Sequence, residues 1–278
     1  MNRKQYTAIA FALVGAAALS AQAVVAKDLT VAVYSAFTTL DPYDASDTLS
    51  QNVAKSFYEG LFGFDKNMKL VNVLAESYDV SKDGLEYTIK LKQGIKFSDG
   101  EPFNAAAVKA NFDRVTNPEN HLTRYQLYRN IESVEVVDDA TVKFHLKEAF
   151  SAFINQLAHP SGVMICPKTL ALSKKEVAFN PCGTGPYVLE KYNPAEYLVV
   201  KKNPNYWQKG LPKLDSISFR PVLEDATRVA MLRTGEAQFV DVVPPEHVER
   251  LKETPNIVVD AAPCLLYTSP SPRDSTSS

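Results

Sequence analysis

Two arginines and two tyrosines lie close together in the sequence, at Arg124, Tyr125, Tyr128 and Arg129. A guanidinium group binds a carboxylate through two parallel hydrogen bonds, so this cluster is chemically suited to a small anionic ligand. Arg124, Tyr125 and Arg129 are therefore predicted to be ligand-binding residues. The alternative is a surface helix on which the tyrosines pack inward and the arginines are solvated, as arginine side chains usually are.

Other kinds of reactive chemistry have no matching pattern in the sequence. The four histidines lack the spacing of metal ligands, and neither His-Glu-x-x-His nor Cys-x-x-Cys occurs. Gly183-Thr184-Gly185 is not followed by the Lys-Ser/Thr of a phosphate-binding loop, and Pro186 would interrupt the helix that such a loop needs. No Gly-x-Ser-x-Gly motif is present, which leaves a secreted hydrolase as a distant alternative. We therefore predict no metal, no cofactor and no enzymatic activity.

The composition is that of a globular protein. Of the 278 residues, 45% are hydrophobic and 22% are charged, a balance that is not typical of a disordered chain. The 30 basic and 32 acidic residues give a net charge of −2 and are spread along the sequence. With no polybasic region, the chain is not expected to bind nucleic acid or an anionic membrane.

The first 26 residues have the pattern of a secretory signal peptide. Arg3 and Lys4 precede an uncharged apolar run at residues 7–19, and small residues follow up to Ala26. The run is shorter than the roughly 20 residues that a membrane-spanning helix needs, which disfavours the alternative of a membrane anchor. We therefore predict cleavage before Lys27 and a location outside the cytoplasm.

Cys166 and Cys182 stand on either side of one predicted strand–helix connection. In the oxidising compartment that a signal peptide implies, two such cysteines are expected to form a disulfide. The bond would close a loop of about 16 residues and contribute about 3 kcal/mol in the chain-entropy model. A pair of buried free thiols is the alternative.

One stretch, residues 75–114, shows how the chain is organised. Tyr87, Ile89 and Leu91 alternate with polar residues, which predicts a half-buried strand. Asp-Gly pairs at 83–84 and 99–100 predict tight turns, and Asn104 is suited to cap a helix at 105–114. Similar patterns predict further strands at 29–34, 133–137, 141–146, 163–167, 188–190, 197–201, 217–222, 238–243 and 256–261. They predict further helices at 50–59, 150–158, 168–176, 225–233 and 245–253. The predicted fold class is α/β with mixed sheets.

Several separated motifs resemble one known family. Residues 40–43, 55–64, 75–114 and 211–239 are similar, in this order, to segments of the solute-binding proteins that serve peptide, nickel and glutathione ABC importers. The resemblance extends from about residue 27 to 263. It implies a periplasmic binding protein-like α/β fold, class II and of the peptide-binder type, in which two lobes close on a ligand like a hinge.

The resemblance also implies a domain organisation. Full-length relatives are much longer, so the chain is expected to contain the first lobe only. Residues 27–47 and 166–263 would form the main subdomain of this lobe, and residues 48–165 would form an inserted subdomain. Residues 264–278 look like the in-frame translation of a sequencing adapter and are interpreted as an artefact, with a genuine Ser/Pro-rich tail as the alternative.

The function that the resemblance implies is capture of a small solute outside the cytoplasm. Members of the family hand their solute to inner-membrane ABC permease subunits. The expected ligand is glutathione or a similar small peptide, and the protein is expected to be a periplasmic monomer. A dipeptide, oligopeptide, nickel-chelate or haem binder of the same family is the alternative.

The resemblance further assigns a ligand-binding role to the loop after the first strand. In relatives this segment faces the ligand cleft, so Phe37, Thr38 and Thr39 would contact a peptide-like ligand through backbone groups and hydroxyls. Loops carried by a rigid scaffold often bind ligands in this way. An ordinary strand-to-helix loop is the alternative.

Overall fold

The computed structural model describes residues 27–260, and its secondary structure alternates between strands and mostly short helices. The strands are β1 (Asp28–Val33), β2 (Phe62–Phe64), β3 (Leu70–Asn72), β4 (Ala75–Val80), β5 (Glu86–Leu91), β6 (Ile131–Asp138), β7 (Thr141–Leu146), β8 (Tyr187–Asn193), β9 (Tyr197–Lys202), β10 (Ser216–Pro221) and β11 (Phe239–Val240). The helices are α1 (Thr48–Ala54), α2 (Ala105–Thr116), α3 (Tyr125–Tyr128), α4 (Phe153–Leu157), α5 (Pro167–Leu170), α6 (Lys174–Val177), α7 (Asp225–Thr234) and α8 (Pro245–Lys252). None of these helices combines the length and the apolar character that crossing a bilayer requires.

The two ends of the described chain build a five-stranded mixed sheet in the order β11-β1-β10-β9-β8. β1 is parallel to both of its neighbours, with Asp28 opposite Ser216 and Val31 opposite Phe239. β9 is antiparallel to both of its neighbours, β8 and β10. Val31, Ala32 and Val33 are all buried, as expected for a parallel strand that is covered on both faces. The predicted mixed α/β class is confirmed.

The central part of the chain builds a four-stranded antiparallel sheet in the order β4-β5-β7-β6. The alternating residues of β5, Tyr87, Ile89 and Leu91, are buried as predicted. The helix α2 begins at its predicted cap, where the side chain of Asn104 accepts a hydrogen bond from Ala107 N–H (3.0 Å). The buried face of α2 packs on the sheet, and the rings of Phe112 and Phe144 lie 4.9 Å apart in an edge-to-face arrangement.

One continuous hydrophobic core joins the two large sheets. It contains Val31 and Val33 from the five-stranded sheet together with Ile89 and Phe144 from the four-stranded sheet. All strands of the four-stranded sheet and of the small β2–β3 sheet lie between residues 62 and 146. This position falls within the inserted subdomain predicted at 48–165, but its boundaries stay a prediction because the core is continuous. The signal peptide predicted at 1–26 and the artefact predicted at 264–278 lie outside the described residues.

A buried ion pair connects the loop after β1 to α2. Arg114 Nη2 lies 2.6 Å from Asp41 Oδ2, and Arg114 Nη1 donates to Asp41 Oδ1 (3.3 Å). The side chain of Asp41 is 1% exposed and that of Arg114 is 11% exposed. Asp41 Oδ1 also accepts from Tyr43 N–H (3.0 Å), and the guanidinium of Arg114 lies over the Tyr43 ring. The two-point pair satisfies a carboxylate that would otherwise be buried without a counter-charge.

Three predicted elements are wrong. The strand predicted at 256–261 is absent from residues 257–260, since these residues pair with no strand in the described part of the chain and Val258 is 91% exposed. The strand predicted at 163–167 is reduced to two isolated bridges, Gly60 with Val163 and Ile165 with Gly183. The helix predicted at 168–176 is divided into α5 and α6, because the side chain of Ser173 caps a new helix start.

Three other elements are shorter than predicted. The helix α1 ends at Ala54 because the next residues form tight turns, in which Lys55 N–H donates to Asn52 O and Ser56 N–H donates to Val53 O. The helix α4 starts at Phe153, and β11 pairs with β1 over two residues only.

Cys166 and Cys182 form a bonded pair whose Cα atoms are 5.3 Å apart. The backbone also pairs at this point, because Cys166 N–H donates to Cys182 O (2.9 Å). The bridge ties the start of α5 to the loop that precedes β8. It therefore closes the segment that contains α5 and α6, two helices of four residues each.

Replacing both Cys166 and Cys182 by Ser is expected to lower the free energy of unfolding by about 3 kcal/mol, because the unfolded chain loses its constraint. Urea denaturation with and without a reductant measures the effect. Addition of the reductant should bring the wild type to the stability of the variant. Cys264→Ser is the control and should leave the midpoint unchanged. If the reductant does not alter the wild-type midpoint, the bond is not formed in the protein.

Candidate ligand-binding site

Three parallel strands end at the same edge of the five-stranded sheet, and we call this edge the carboxyl edge. It consists of residues 34–39 after β1, residues 222–223 after β10 and residues 241–242 after β11. The last two segments are held beside β1, since Val222 N–H donates to Val33 O (2.8 Å) and Asp241 N–H donates to Ala32 O (3.1 Å). In open α/β sheets, ligands bind beyond the carboxyl ends of parallel strands. The carboxyl edge is therefore the candidate site, and it includes the sequence-predicted loop.

Phe37 anchors this loop to the sheet. Its side chain is 4% exposed, and its ring lies 6.4 Å from each of the rings of Tyr192 and Phe219. Phe179, which is 47% exposed, also packs on Tyr192, with ring centroids 5.6 Å apart. Burial and the nearby charge of Asp47 raise the pKa of Tyr192 to about 12. The ring of Phe37 is thus a packing group, so any contact that this residue makes with a ligand would come from its backbone.

The polar groups of Thr38 hold the loop against the start of α1, whereas the hydroxyl of Thr39 bonds within the loop. Thr38 N–H donates to Ser50 Oγ (3.0 Å), and its hydroxyl donates to the carboxylate of Asp47. The hydroxyl of Thr39 accepts from Asp41 N–H (3.1 Å). Burial acts to raise the pKa of Asp47, but hydrogen bonds from Ser50 and Thr38 outweigh it and lower the pKa below its usual value. A negative charge therefore lies next to Thr38.

Large apolar side chains are exposed at the carboxyl edge and in the adjoining strand β11. Leu223 is 74% exposed, and Phe239 and Val242 are each 55% exposed. Val242 has a φ of 59°, in the left-handed region that a β-branched residue rarely adopts. Exposed apolar groups next to an unusual backbone conformation are typical of a binding surface.

Arg228 of α7 holds two segments of the carboxyl edge in place. Its guanidinium is buried and donates to Val222 O (2.7 Å), Leu223 O (3.1 Å) and Val242 O (3.4 Å). It also pairs with the carboxylate of Asp225. The sequence does not reveal this role of Arg228, because an arginine on a short amphipathic helix is usually solvated and no local pattern distinguishes this one.

The predicted anion-binding cluster is divided by the structure. The guanidinium of Arg124 donates through Nε (2.9 Å) and Nη2 (2.6 Å) to Ala45 O, so it ties α3 to the loop after β1. Arg129 is exposed and lines an open cavity of about 340 Å³ with Tyr125. The backbone carbonyl of Arg129 accepts from Lys147 Nζ (2.7 Å). The two arginines thus have different surroundings, and an anion-binding role for the cluster stays a proposal.

The family comparison agrees with this fold. The model of the bacterial extracellular solute-binding proteins, family 5 (middle region), matches residues 69–275. The chain belongs to this family. The match confirms the resemblance that the separated motifs indicated, and it extends into the segment 264–278.

Named relatives of this family 5 chain include the glutathione-binding protein GsiB of Salmonella typhi, which is 61% identical over 244 residues. That alignment covers 88% of this chain and 48% of the relative, so the chain spans about half the length of the curated relatives that it matches.

Two solved structures show the same fold. DppA, a periplasmic binding protein from Helicobacter pylori in complex with the peptide STSA, matches with a TM-score of 0.77 and 28% identity, covering 84% of this chain and 50% of DppA. AgaA from A. tumefaciens R10, in complex with agropinic acid, matches with a TM-score of 0.75 and 30% identity, covering 82% of this chain and 46% of AgaA. The predicted periplasmic binding protein-like fold is confirmed.

The family 5 chain also contains a buried carboxylate that sequence analysis missed. Glu59, in the connection between α1 and β2, accepts hydrogen bonds from Trp207 Nε1 (2.6 Å), Tyr206 Oη (2.9 Å) and Thr184 Oγ1 (3.0 Å). Lys92 Nζ lies over the Trp207 ring at 5.2 Å. The Tyr206–Trp207 pair is thus held at its polar ends by one acid, which indicates a structural role for the pair.

Burial raises the pKa of Glu59 above its ordinary value of 4.5, although hydrogen bonds from Trp207, Tyr206 and Thr184 act in the opposite direction. As the pH rises past 4.5, the carboxyl ionises more readily in the unfolded chain than in the folded one. The wild type should therefore lose stability relative to Glu59→Gln as the pH increases from about 4 through the raised pKa. Denaturation at several pH values measures this slope. The same substitution at exposed Glu132 is the control, and a wild type that gains stability relative to Glu59→Gln over this range would contradict the prediction.

Proposed function

We propose that this chain is the ligand-capturing part of an extracytoplasmic solute-binding protein whose ligand is glutathione or a similar small peptide. The observation that carries the proposal is the 61% identity with a glutathione-binding protein over 88% of the chain. The bound solute would pass to ABC permease subunits in the inner membrane. In this proposal the protein is a periplasmic monomer, exported by residues 1–26, and it has no catalytic step of its own.

The carboxyl edge offers the chemistry that a small peptide needs. Exposed Leu223 and Val242 supply apolar surface. The backbone of residues 37–39 supplies hydrogen-bonding groups other than the Thr38 N–H, which is bonded to Ser50 Oγ. The carboxylate of Asp47, whose hydrogen bonds favour its ionised form, is suited to pair with the ammonium group of a peptide.

Exposed Arg129, with Tyr125 beside it, is the part of the predicted cluster that remains suited to a ligand carboxylate, while Arg124 would orient α3.

Isothermal titration calorimetry of the full chain with glutathione tests the proposal. Thr38→Val removes the hydroxyl that contacts Asp47 and is expected to weaken glutathione binding about fivefold, the equivalent of one hydrogen bond of about 1 kcal/mol. Thr88→Val, on the four-stranded sheet, is the matched control and should bind as the wild type does. Equal glutathione affinities for the wild type and Thr38→Val would show that the loop at residues 37–39 does not contribute to binding.

A peptide without a thiol is the second candidate ligand, because DppA, which shares the fold, was solved with the peptide STSA. Titration with a dipeptide under the same conditions distinguishes the two ligands. Heat released with the dipeptide and none with glutathione would assign the chain to general peptide capture instead. A nickel–histidine chelate and haem, each added in a separate titration, test the remaining alternatives within the family.

A further inference from the structure

Three segments of the chain meet at the Cys166–Cys182 pair. Ser98, in the turn before α2, donates through N–H to Gly183 O (2.8 Å) and through its hydroxyl to Cys182 Sγ (3.3 Å). The strand bridge between Ile165 and Gly183 and the bond from Cys166 N–H to Cys182 O hold the two cysteine segments side by side. These backbone contacts do not involve the sulfur–sulfur bond. The two cysteines are therefore expected to remain adjacent when that bond is reduced.

The carboxylate of Asp99 is directed to the same place. One of its oxygens and the two sulfurs of Cys166 and Cys182 all lie within 4.8 Å of one another. Asp99 occupies an exposed turn, where its Oδ1 accepts from Glu101 N–H (3.1 Å). Within residues 27–260 no other three His, Cys, Asp or Glu side chains converge as closely. Cys166 is buried and Asp99 is exposed, so the cluster extends from the core to solvent.

Two thiolates and a carboxylate are a ligand set for Zn²⁺ and similar soft divalent ions. Such ions take thiolate sulfur at about 2.3 Å and carboxylate oxygen at about 2.0–2.2 Å in a tetrahedral arrangement, and water can occupy the fourth position. Ligand atoms at these distances from one ion are about 3.5–4 Å apart. The carboxylate oxygen of Asp99 lies within 4.8 Å of both sulfurs, so a small movement of this exposed turn suffices to reach that spacing. A disulfide cannot act in this way, since the sulfurs must be thiolates.

We propose that Cys166, Cys182 and Asp99 form a binding site for a soft divalent cation of the Zn²⁺ class when the Cys166–Cys182 bond is reduced. Reduction adds two electrons and two protons to the disulfide and gives two thiols, with an external thiol or phosphine as the reductant. Metal binding then displaces the two thiol protons, and Asp99 completes three protein ligands. The loop 181–184 and the turn 97–101 would be held together by metal in the reduced protein and by the disulfide in the oxidised protein.

Cobalt titration of the full chain tests the site. The chain carries Cys264→Ser, so that the third cysteine cannot contribute, and is reduced by a phosphine under anaerobic conditions. The reduced protein should bind one Co²⁺ with visible absorption of a tetrahedral complex and near-ultraviolet thiolate-to-metal absorption, and Zn²⁺ should displace it. The oxidised protein should show neither absorption. Asp99→Asn should weaken Co²⁺ binding about tenfold or more.

Asp83→Asn is the matched control, because Asp83 occupies a second Asp-Gly turn in which its Oδ1 accepts a backbone N–H, from Leu85 (3.1 Å). This variant should bind Co²⁺ as the parent does. The proposal is overturned if the reduced chain keeps its far-ultraviolet circular dichroism spectrum and binds no Co²⁺, or if Asp99→Asn binds with unchanged affinity. Loss of the native spectrum on reduction that Zn²⁺ does not reverse also counts against it, since the site requires the folded arrangement.

Discussion

Arg114→Met should lower the free energy of unfolding by about 3–5 kcal/mol, because it leaves the carboxylate of Asp41 buried without its counter-charge. Asp41 is 1% exposed, so water cannot replace the guanidinium. Among residues 27–260 the remaining donor to this carboxylate is Tyr43 N–H, which makes a single neutral hydrogen bond. Urea denaturation followed by circular dichroism measures the loss.

The double variant Asp41→Asn/Arg114→Met is the control for this prediction. It removes the buried charge together with its partner, so it should be more stable than Arg114→Met alone. Lys109→Met is a second control, on the exposed face of α2 where the lysine pairs with Asp113. It should lower the free energy of unfolding by less than about 1 kcal/mol. If Arg114→Met lowers the free energy of unfolding by no more than Lys109→Met does, the buried Asp41–Arg114 pair does not stabilise the fold as its geometry indicates.

Gly185→Ala is the second substitution with a large expected effect. A Cβ atom at this position would lie 2.5 Å from Phe57 C, 2.7 Å from Phe57 O and 2.8 Å from Ser56 O. All three are backbone atoms just after the end of α1, and Gly185 N–H already donates to Phe57 O (2.9 Å), so the loop cannot move away without losing that bond. We expect a loss of about 3 kcal/mol or more in the free energy of unfolding.

Gly94→Ala separates crowding from the loss of glycine's conformational freedom. Gly94 has a φ of 77°, and a Cβ atom added there would meet no atom of another segment within 4 Å. Only the strain of a left-handed alanine, about 1–2 kcal/mol, is therefore expected at this position. Thermal and urea denaturation of both variants give the comparison. A Gly185→Ala protein that is as stable as Gly94→Ala would show that the approach of the two backbones is not tight in solution.

The sequence was informative where the relevant contacts are local. The alternation at Tyr87, Ile89 and Leu91 and the cap at Asn104 depend on residues a few positions apart, and the structure confirms them. The strand predicted at 256–261 had the right composition, but a strand also requires a partner, and composition does not supply one. The division of α5 from α6 depends on the capping box of Ser173 with Glu176, which an apolar pattern does not show.

Contacts between distant residues explain why the sequence did not predict the surroundings of Glu59 or the supporting contacts of the candidate site. The three donors to Glu59 are 125, 147 and 148 positions away from it, and no periodicity links them. Family resemblance assigned Phe37, Thr38 and Thr39 to a ligand-facing loop, and the structure places this loop at the carboxyl edge. The structure alone shows that the Phe37 ring is a packing group and that Arg228 supports the neighbouring segments.

The position of β1 has a consequence for how the chain assembles. β1 lies inside the five-stranded sheet, and its partner Ser216 is 188 residues further along the chain. During synthesis Asp28 emerges first but cannot pair until β10 has followed, whereas β5, β6 and β7 can pair as soon as residue 146 is available. Closing such a long loop is slow compared with forming local contacts. The four-stranded sheet is therefore expected to form early, while β1 waits with its backbone unpaired. An unpaired strand is prone to aggregate, so β1 is expected to need protection by a chaperone until β10 has formed.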